Sequence, residues 1–72
     1  MTAREMLRRI QERARELGLV VEVQEGKGSH KKVSVGSCQT TIPFHRGEGL
    51  GKGLRGAIQR DLAPCLGERW LQ

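Results

Sequence analysis

The residues with the clearest capacity for chemistry lie in one short segment, Gly26-Lys27-Gly28-Ser29-His30-Lys31-Lys32. Its glycines supply the positive-φ conformations of a tight turn and leave room for a bulky ligand. An imidazole placed between ammonium groups can transfer protons at a position that attracts phosphate. The segment therefore indicates either an acid/base site for a phosphate-containing substrate or a solvated hairpin turn whose histidine has no function.

The elements that must position this histidine begin with a helix. Thr2 and Glu5 have the spacing of a capping box, and Gly18 is suited to end the helix in a left-handed conformation. Between them runs an apolar stripe at spacings of three and four residues, formed by Ala3, Leu7, Ile10, Ala14 and Leu17.

Three strands are predicted next. Residues 19–24 alternate and are rich in β-branched side chains, with Leu19, Val21 and Val23 facing inward. After the glycine turn, residues 32–35 alternate again, and Gly36-Ser37 fits a two-residue hairpin loop. The third strand has an inward face formed by Cys38, Thr40, Ile42 and Phe44.

A second amphipathic helix completes the domain. It contains Leu54, Ala57, Ile58 and Leu62, with Gly53 as its N-cap and its end at about residue 63, before Pro64. We predict one two-layer α+β domain over residues 1–72, of order α-β-β-β-α, whose three-stranded antiparallel sheet carries both helices on one face. The core spans about residues 2–63, and the tail 64–72 is expected to pack on it through Leu66, Trp70 and Leu71, with a docking site for a partner as the alternative.

The hairpin register brings the two histidines of the chain onto the bare face of the sheet. It sets Val35 opposite Cys38 and His30 opposite Pro43, so that His45 becomes a diagonal neighbour of His30 at roughly 7–8 Å. The alternative is two unrelated surface histidines. The side chains expected on this face are those of His30, Lys32, Gln39, Thr41 and His45.

Length and composition restrict the class of function. A chain of 72 residues has no room for a deep cavity, so chemistry must occur on an open face, and no small-molecule ligand or cofactor is expected. A net charge of +5 favours a polyanionic partner. Phe44 and Trp70 are the only aromatic residues, which argues against binding single strands mainly by base stacking.

The cysteines and the apolar runs indicate the compartment. Cys38 and Cys65 lack paired spacing, so free thiols in a cytoplasmic protein are expected, with one disulfide as the second option. A zinc site formed by both cysteines with His30 and His45 would lack the usual ligand spacing, and no metal is expected. No apolar run is long enough for a signal peptide or a membrane span.

Three short motifs carry a resemblance to a known family. They are Gly28-Ser29-His30 in the first turn, Ile42-Pro43-Phe44-His45 at the end of the third strand, and Gly53-Leu54-Arg55 with Ile58 in the second helix. In this order and length the chain resembles the HicA toxin family of bacterial toxin–antitoxin systems, whose fold is like the double-stranded RNA-binding domain.

The resemblance implies a ribonuclease that acts on messenger RNA, with His30 catalytic and a HicB-type antitoxin covering the active face. RNA carries its own nucleophile, the 2′-hydroxyl, so a metal-independent reaction needs a base, an acid and charge stabilisation. His45 is the possible complement of His30. Residues expected to bind RNA are Lys27, Gly28, Ser29, Lys31, Lys32, Arg46, Lys52 and Arg55.

Two other classes of function stay open. A non-catalytic double-stranded RNA-binding module would need a lysine cluster at the start of the second helix, where only Lys52 and Arg55 are found. A protein-interaction module would use the bare sheet edge to dock a partner strand. Incubation with RNA, with and without chelator, separates these from a nuclease.

Overall fold

Five elements follow one another in the computed structural model, which describes residues 1–45 and 49–71. They are α1 (Ala3–Leu17), β1 (Val21–Glu25), β2 (His30–Val35), β3 (Cys38–Pro43) and α2 (Lys52–Leu66). The strands form one antiparallel sheet in the order β1-β2-β3. The predicted α+β fold and its α-β-β-β-α order are confirmed.

The hydrophobic core lies between the helices and one face of the sheet. Residues of both helices, of β2 and β3 and of the segments flanking α2 contribute to it: Ala3, Met6, Ile10, Ala14, Val33, Val35, Ile42, Leu50, Ile58, Leu62, Leu66 and Trp70. On the strands that pair in the hairpin, the alternate side chains Lys32, Gln39 and Thr41 are exposed. The second face of the sheet is therefore open, as the two-layer arrangement requires.

Helix α1 begins and ends as its sequence predicts. The Thr2 hydroxyl accepts a hydrogen bond from the Glu5 N–H, and the Glu5 carboxylate accepts one from the Thr2 N–H. That backbone hydrogen bond holds the pKa of the Glu5 carboxyl below its usual range. Gly18 ends the helix at φ 71°. The buried stripe differs from the prediction at two positions, because Met6, which was not assigned to it, is fully buried and Leu17 is 43% exposed.

The β2–β3 hairpin has the predicted register. Val35 lies opposite Cys38, Val33 opposite Thr40 and His30 opposite Pro43. Gly36 in the loop has φ 57°, a conformation that favours glycine. Since a shift of one residue would exchange the two faces of the strands, this register decides which side chains reach the open face.

Strand β1 is an edge strand and is less well covered than predicted. It begins at Val21, and its Val21 and Val23 pair with Val35 and Val33 on the core side. Val23 is nevertheless 40% exposed, because it lies at the margin of the layer, where Leu17 of α1 is also partly uncovered. On the opposite face, β1 presents Glu22 to solvent.

Helix α2 is longer than predicted at both ends. Its N-cap is Gly51 and not Gly53, and it continues through Pro64 to Leu66. Proline lacks the N–H that would bond to the carbonyl four residues earlier, but in the final turn this costs only one helical hydrogen bond. Burial of Leu66 one turn after Leu62 favours the extra turn.

The tail after α2 packs against both helices. Trp70 is only 7% exposed, and its indole N–H donates a 3.0 Å hydrogen bond to the Gln59 carbonyl. Arg9 donates to the carbonyl of Leu71, and Arg13 to that of Leu66, each at 2.9 Å. No helix in the described part of the chain is long and apolar enough to cross a membrane.

The cysteines correct one sequence prediction. Cys38 and Cys65 form a disulfide with a Cα–Cα distance of 6.1 Å, so the expectation of two free thiols is wrong. The bond joins the first residue of β3 to the last turn of α2, positions that only the packing of α2 on β3 brings together. The separation of 27 residues gives no sequence signal for the pair.

Candidate active site

The hairpin register and the chain beyond it bring the two histidines together. His30 is the first residue of β2, and His45 follows the last residue of β3 by two positions. Their ring centroids lie 5.9 Å apart with the ring planes at 85°, and both side chains are exposed. The predicted proximity is confirmed, and the rings incline toward each other across the strand pair.

The turn before His30 is shaped by two glycines. Gly28 has φ 59°, which favours glycine. A Cβ on Gly26 would lie 2.9 Å from the His30 carbonyl oxygen, the same oxygen that accepts a hydrogen bond from the Gly26 N–H. A larger residue at position 26 would therefore displace the backbone that carries His30.

The imidazole of His30 is oriented by the backbone of the same turn. Its Nδ1 lies 3.3 Å from the Lys27 carbonyl oxygen, which also accepts the His30 backbone N–H at 3.1 Å. A carbonyl oxygen can only accept, so Nδ1 must carry the proton of this contact. In the neutral ring, the lone pair is then on Nε2.

The imidazole of His45 is held by a side chain of the same turn. Its Nδ1 lies 3.1 Å from the Ser29 hydroxyl oxygen. Next to it, the Phe44 N–H donates a 2.8 Å hydrogen bond to the Ser29 carbonyl, which extends the strand pairing beyond Pro43. This partner of His45 was not predicted, although continuing the register by one residue places Ser29 opposite Phe44.

The cations near the turn differ in their availability. The Lys31 ammonium lies 4.6 Å from the centroid of the Phe44 ring and 3.8 Å from a Glu25 carboxylate oxygen, so it already has two partners. Lys27 and Lys32 are exposed, and no ion pair is found for either within residues 1–45 and 49–71. These two lysines are the free positive charges nearest to His30 in sequence.

The described charges of the open sheet face have both signs. Glu22 of β1 lies opposite Ser34 on the same face as Lys32. The edge of this face along β1 therefore carries a carboxylate, whereas the unpaired lysines near the histidines, among the described residues, are Lys27 of the turn and Lys32 of β2. A polyanion would approach the end of the sheet that carries the β1–β2 turn.

The remaining RNA-binding candidates lie elsewhere or outside the described residues. Lys52 and Arg55 line a cavity of about 310 Å³ with Met1 and Leu71, and neither histidine borders it. Arg46 lies outside the described residues. The structure thus groups Lys27, Gly28, Ser29, Lys31 and Lys32 with the histidines, whereas Lys52 and Arg55 border the cavity at the start of α2.

The zinc alternative fails on the chemistry of its ligands. Disulfide sulfurs are not thiolate ligands, and Cys38 is separated from Pro43 by the length of β3, about 17 Å. Cysteines and histidines are therefore at opposite ends of the strand. In the part of the chain that the structure describes, no three His, Cys, Asp or Glu side chains form a metal-binding group.

Comparison with known proteins identifies a relative. Over 42 residues the chain is 48% identical to the probable mRNA interferase HicA of Pseudomonas fluorescens (strain Pf0-1). The matched segment covers 58% of this chain and 70% of the relative. No protein-family model matches the chain. No solved structure matches it either.

Proposed function

The chain belongs to the HicA toxin family, and on that basis we propose that it is an mRNA interferase that cleaves RNA by histidine acid/base catalysis. The observation that carries the proposal is the pair of exposed imidazoles 5.9 Å apart beside the lysine-bearing turn. Two proton carriers on either side of one phosphate are what cleavage by the 2′-hydroxyl needs.

His30 is the base in this mechanism. Its Nε2 takes the proton of the 2′-hydroxyl as the 2′-oxygen attacks the adjacent phosphorus. The Nδ1 proton stays with the Lys27 carbonyl throughout, so the ring keeps its orientation when it becomes charged. A backbone acceptor in a glycine turn is independent of side-chain rotamers, which makes the position of Nε2 reproducible.

His45 is the acid. Its Nε2 proton passes to the 5′-oxygen as the bond from phosphorus to that oxygen breaks. The products are a 2′,3′-cyclic phosphate and a 5′-hydroxyl, and one proton has moved from the 2′-oxygen to His30 while another has moved from His45 to the leaving group. Lys27 and Lys32 stabilise the charge that develops on the phosphoryl oxygens. No step requires a metal ion.

The first test is cleavage itself. Purified protein incubated with messenger RNA should shorten it, and addition of a chelator should leave the rate unchanged. Retardation of the RNA without cleavage would favour a non-catalytic RNA-binding module. The absence of both cleavage and retardation would favour a protein-interaction domain. Both imidazoles are exposed, and a single strand is the expected substrate.

RNA binding should depend on salt. A single strand contacted at three or four phosphates should give a log–log slope of affinity against salt concentration of roughly −2 to −3, because each neutralised phosphate releases counterions. Fluorescence anisotropy with a labelled oligonucleotide and the His30→Ala protein measures this without cleavage. An RNA affinity that does not change with salt concentration would contradict phosphate binding by the lysines of this turn.

We also propose a HicB-type antitoxin as the protein partner, acting with this protein in the cytoplasm. The exposed turn with its free lysines would be covered by a partner that is acidic where it contacts them. Co-expression with the gene adjacent in the genome should relieve the growth arrest that the toxin causes. Equal arrest with and without that gene would contradict the proposal, and the His30→Ala protein is the matched non-toxic control.

A further inference from the structure

We infer that Ser29 is a positioning residue that fixes which nitrogen of His45 exchanges protons. The inference rests on the proposed function, since it assigns Ser29 a role through the acid of that reaction. The Ser29 oxygen is 3.1 Å from His45 Nδ1, and no other side-chain hydrogen bond of Ser29 is found within residues 1–45 and 49–71.

The protonation state of the acid decides the direction of this hydrogen bond. An imidazolium ring carries hydrogens on both nitrogens and has no acceptor, so the Ser29 oxygen must accept from Nδ1–H while His45 is ready to act. After Nε2 gives up its proton, the Nδ1–H bond to Ser29 can persist. The neutral ring is then the Nδ1–H tautomer with its lone pair on Nε2, ready for a new proton.

This arrangement repeats that of His30 with a different acceptor. His30 donates Nδ1–H to the Lys27 carbonyl, and in the inferred arrangement His45 donates Nδ1–H to the Ser29 hydroxyl. Both rings are then held by Nδ1, and within residues 1–45 and 49–71 no hydrogen bond of either Nε2 is found. One turn, residues 27–29, supplies both acceptors, which couples the orientation of base and acid.

The backbone of the turn allows the hydroxyl to be removed alone. The Ser29 carbonyl, and not its side chain, accepts the Phe44 N–H at 2.8 Å. Ser29→Ala therefore leaves the extended strand pairing in place. Among the described residues, the charged groups of the turn and the strands beside it, which are Glu25, Lys27, Lys31 and Lys32, are also unchanged by the substitution.

The direct test is the tautomer of His45, measured by long-range ¹⁵N–¹H NMR of the uniformly labelled protein at a pH where both rings are neutral. The expected result is Nδ1–H for His45 in the native protein and, in Ser29→Ala, the Nε2–H form that an unconstrained histidine side chain prefers. Nε2–H in the native protein, or the same tautomer in both proteins, would overturn the inference. This readout needs no enzymatic activity, so it stands apart from the proposed nuclease function.

Kinetics give the second test. Ser29→Ala should lower kcat by about 3- to 10-fold, the loss expected for one hydrogen bond at an exposed site, with KM little changed. Ser29→Thr should recover most of the lost rate because it restores the hydroxyl. Ser34→Ala, farther along β2, is the matched serine control and should have the kcat and KM of the native protein. A rise in KM alone, or Ser29→Thr no better than Ser29→Ala, would contradict a positioning role.

A double substitution separates positioning from direct RNA contact. If Ser29 acts through His45, then Ser29→Ala should have no further effect on kcat in a His45→Ala background. If it contacts the phosphate itself, the two effects should multiply, and the inference fails. Undiminished cleavage by His30→Ala and His45→Ala would refute the proposed mechanism, while the NMR result would still report on the Ser29–His45 hydrogen bond.

Discussion

Replacing His30 by alanine should lower the rate of RNA cleavage by roughly 10²–10⁴-fold, because positioned proton transfer contributes about that much. RNA affinity should change little, since a neutral imidazole adds little to phosphate binding. The imidazole is exposed, so the free energy of unfolding should stay within about 0.5 kcal/mol of the native value. Single-turnover cleavage of a labelled RNA, with anisotropy and urea unfolding of the same preparation, measures all three.

The controls for this substitution use residues of the same sheet face. His45→Ala should be as severe as His30→Ala, because His45 is the acid of the proposed mechanism, and a much milder loss would contradict that role. Gln39→Ala, exposed at the far end of β3, should cleave at the native rate. The native rate should have a bell-shaped dependence on pH, because the base must be neutral and the acid protonated. If the His30→Ala protein is unfolded, the histidine has a structural role. If it is folded and fully active, the catalytic role of His30 is refuted.

Reducing the disulfide should have the largest effect on stability. In the chain-entropy description, a cross-link that closes a loop of 27 residues stabilises a fold by about 3.5 kcal/mol. A domain of 72 residues has a total stability of about 4–11 kcal/mol. Urea unfolding with and without reductant should therefore show a large shift of the midpoint, whereas the Cys38→Ser/Cys65→Ser double variant should show none.

The active site should survive reduction in whatever fraction of the protein stays folded. Cys38 begins β3, and the histidines lie beyond its other end. Thiol titration of the unfolded, unreduced protein should find no free thiol; two thiols per chain, or an unmoved urea midpoint, would contradict this assignment. In a reducing compartment, where disulfides are rare, the stability that counts is that of the reduced protein.

Local patterns were enough to predict the elements that hold the site. The capping box of Thr2 and Glu5, the left-handed Gly18 and the two-residue loop at Gly36 each depend on a few neighbouring residues. The hairpin register follows from that loop and from the alternation of the strands, and it is what brings His30 near His45. Sequence reasoning therefore reached the main feature of the site.

Features that depend on packing were not predictable in the same way. Pro64 reads as a helix end, yet the buried Leu66 keeps α2 helical for a further turn. The disulfide needs the contact of α2 with β3, which pairs residues 27 positions apart. Ser29 was expected to bind RNA, and its contact with His45 depends on how the rings turn once the strands have paired.

Lysine placement shows the same limit. Lys31 was expected to bind phosphate, but alternation directs it to the side where Phe44 and Glu25 lie. Lys52 and Arg55 lie in the first turn of α2, close to His45 in sequence. They nevertheless line a cavity that neither histidine borders. Charge counted along the sequence overestimates the charge that a single ligand can meet.

The chemistry of the cleaved ends tests the central claim most directly. RNA treated with the native protein in the presence of chelator should carry 2′,3′-cyclic phosphate and 5′-hydroxyl termini, as mass spectrometry of the fragments would show. A substrate with a single 2′-deoxynucleotide at the cleavage position should resist, because it lacks the nucleophile. Fragments with 5′-phosphate and 3′-hydroxyl ends, or cleavage of the 2′-deoxy substrate, would contradict catalysis by His30 and His45 on the 2′-hydroxyl.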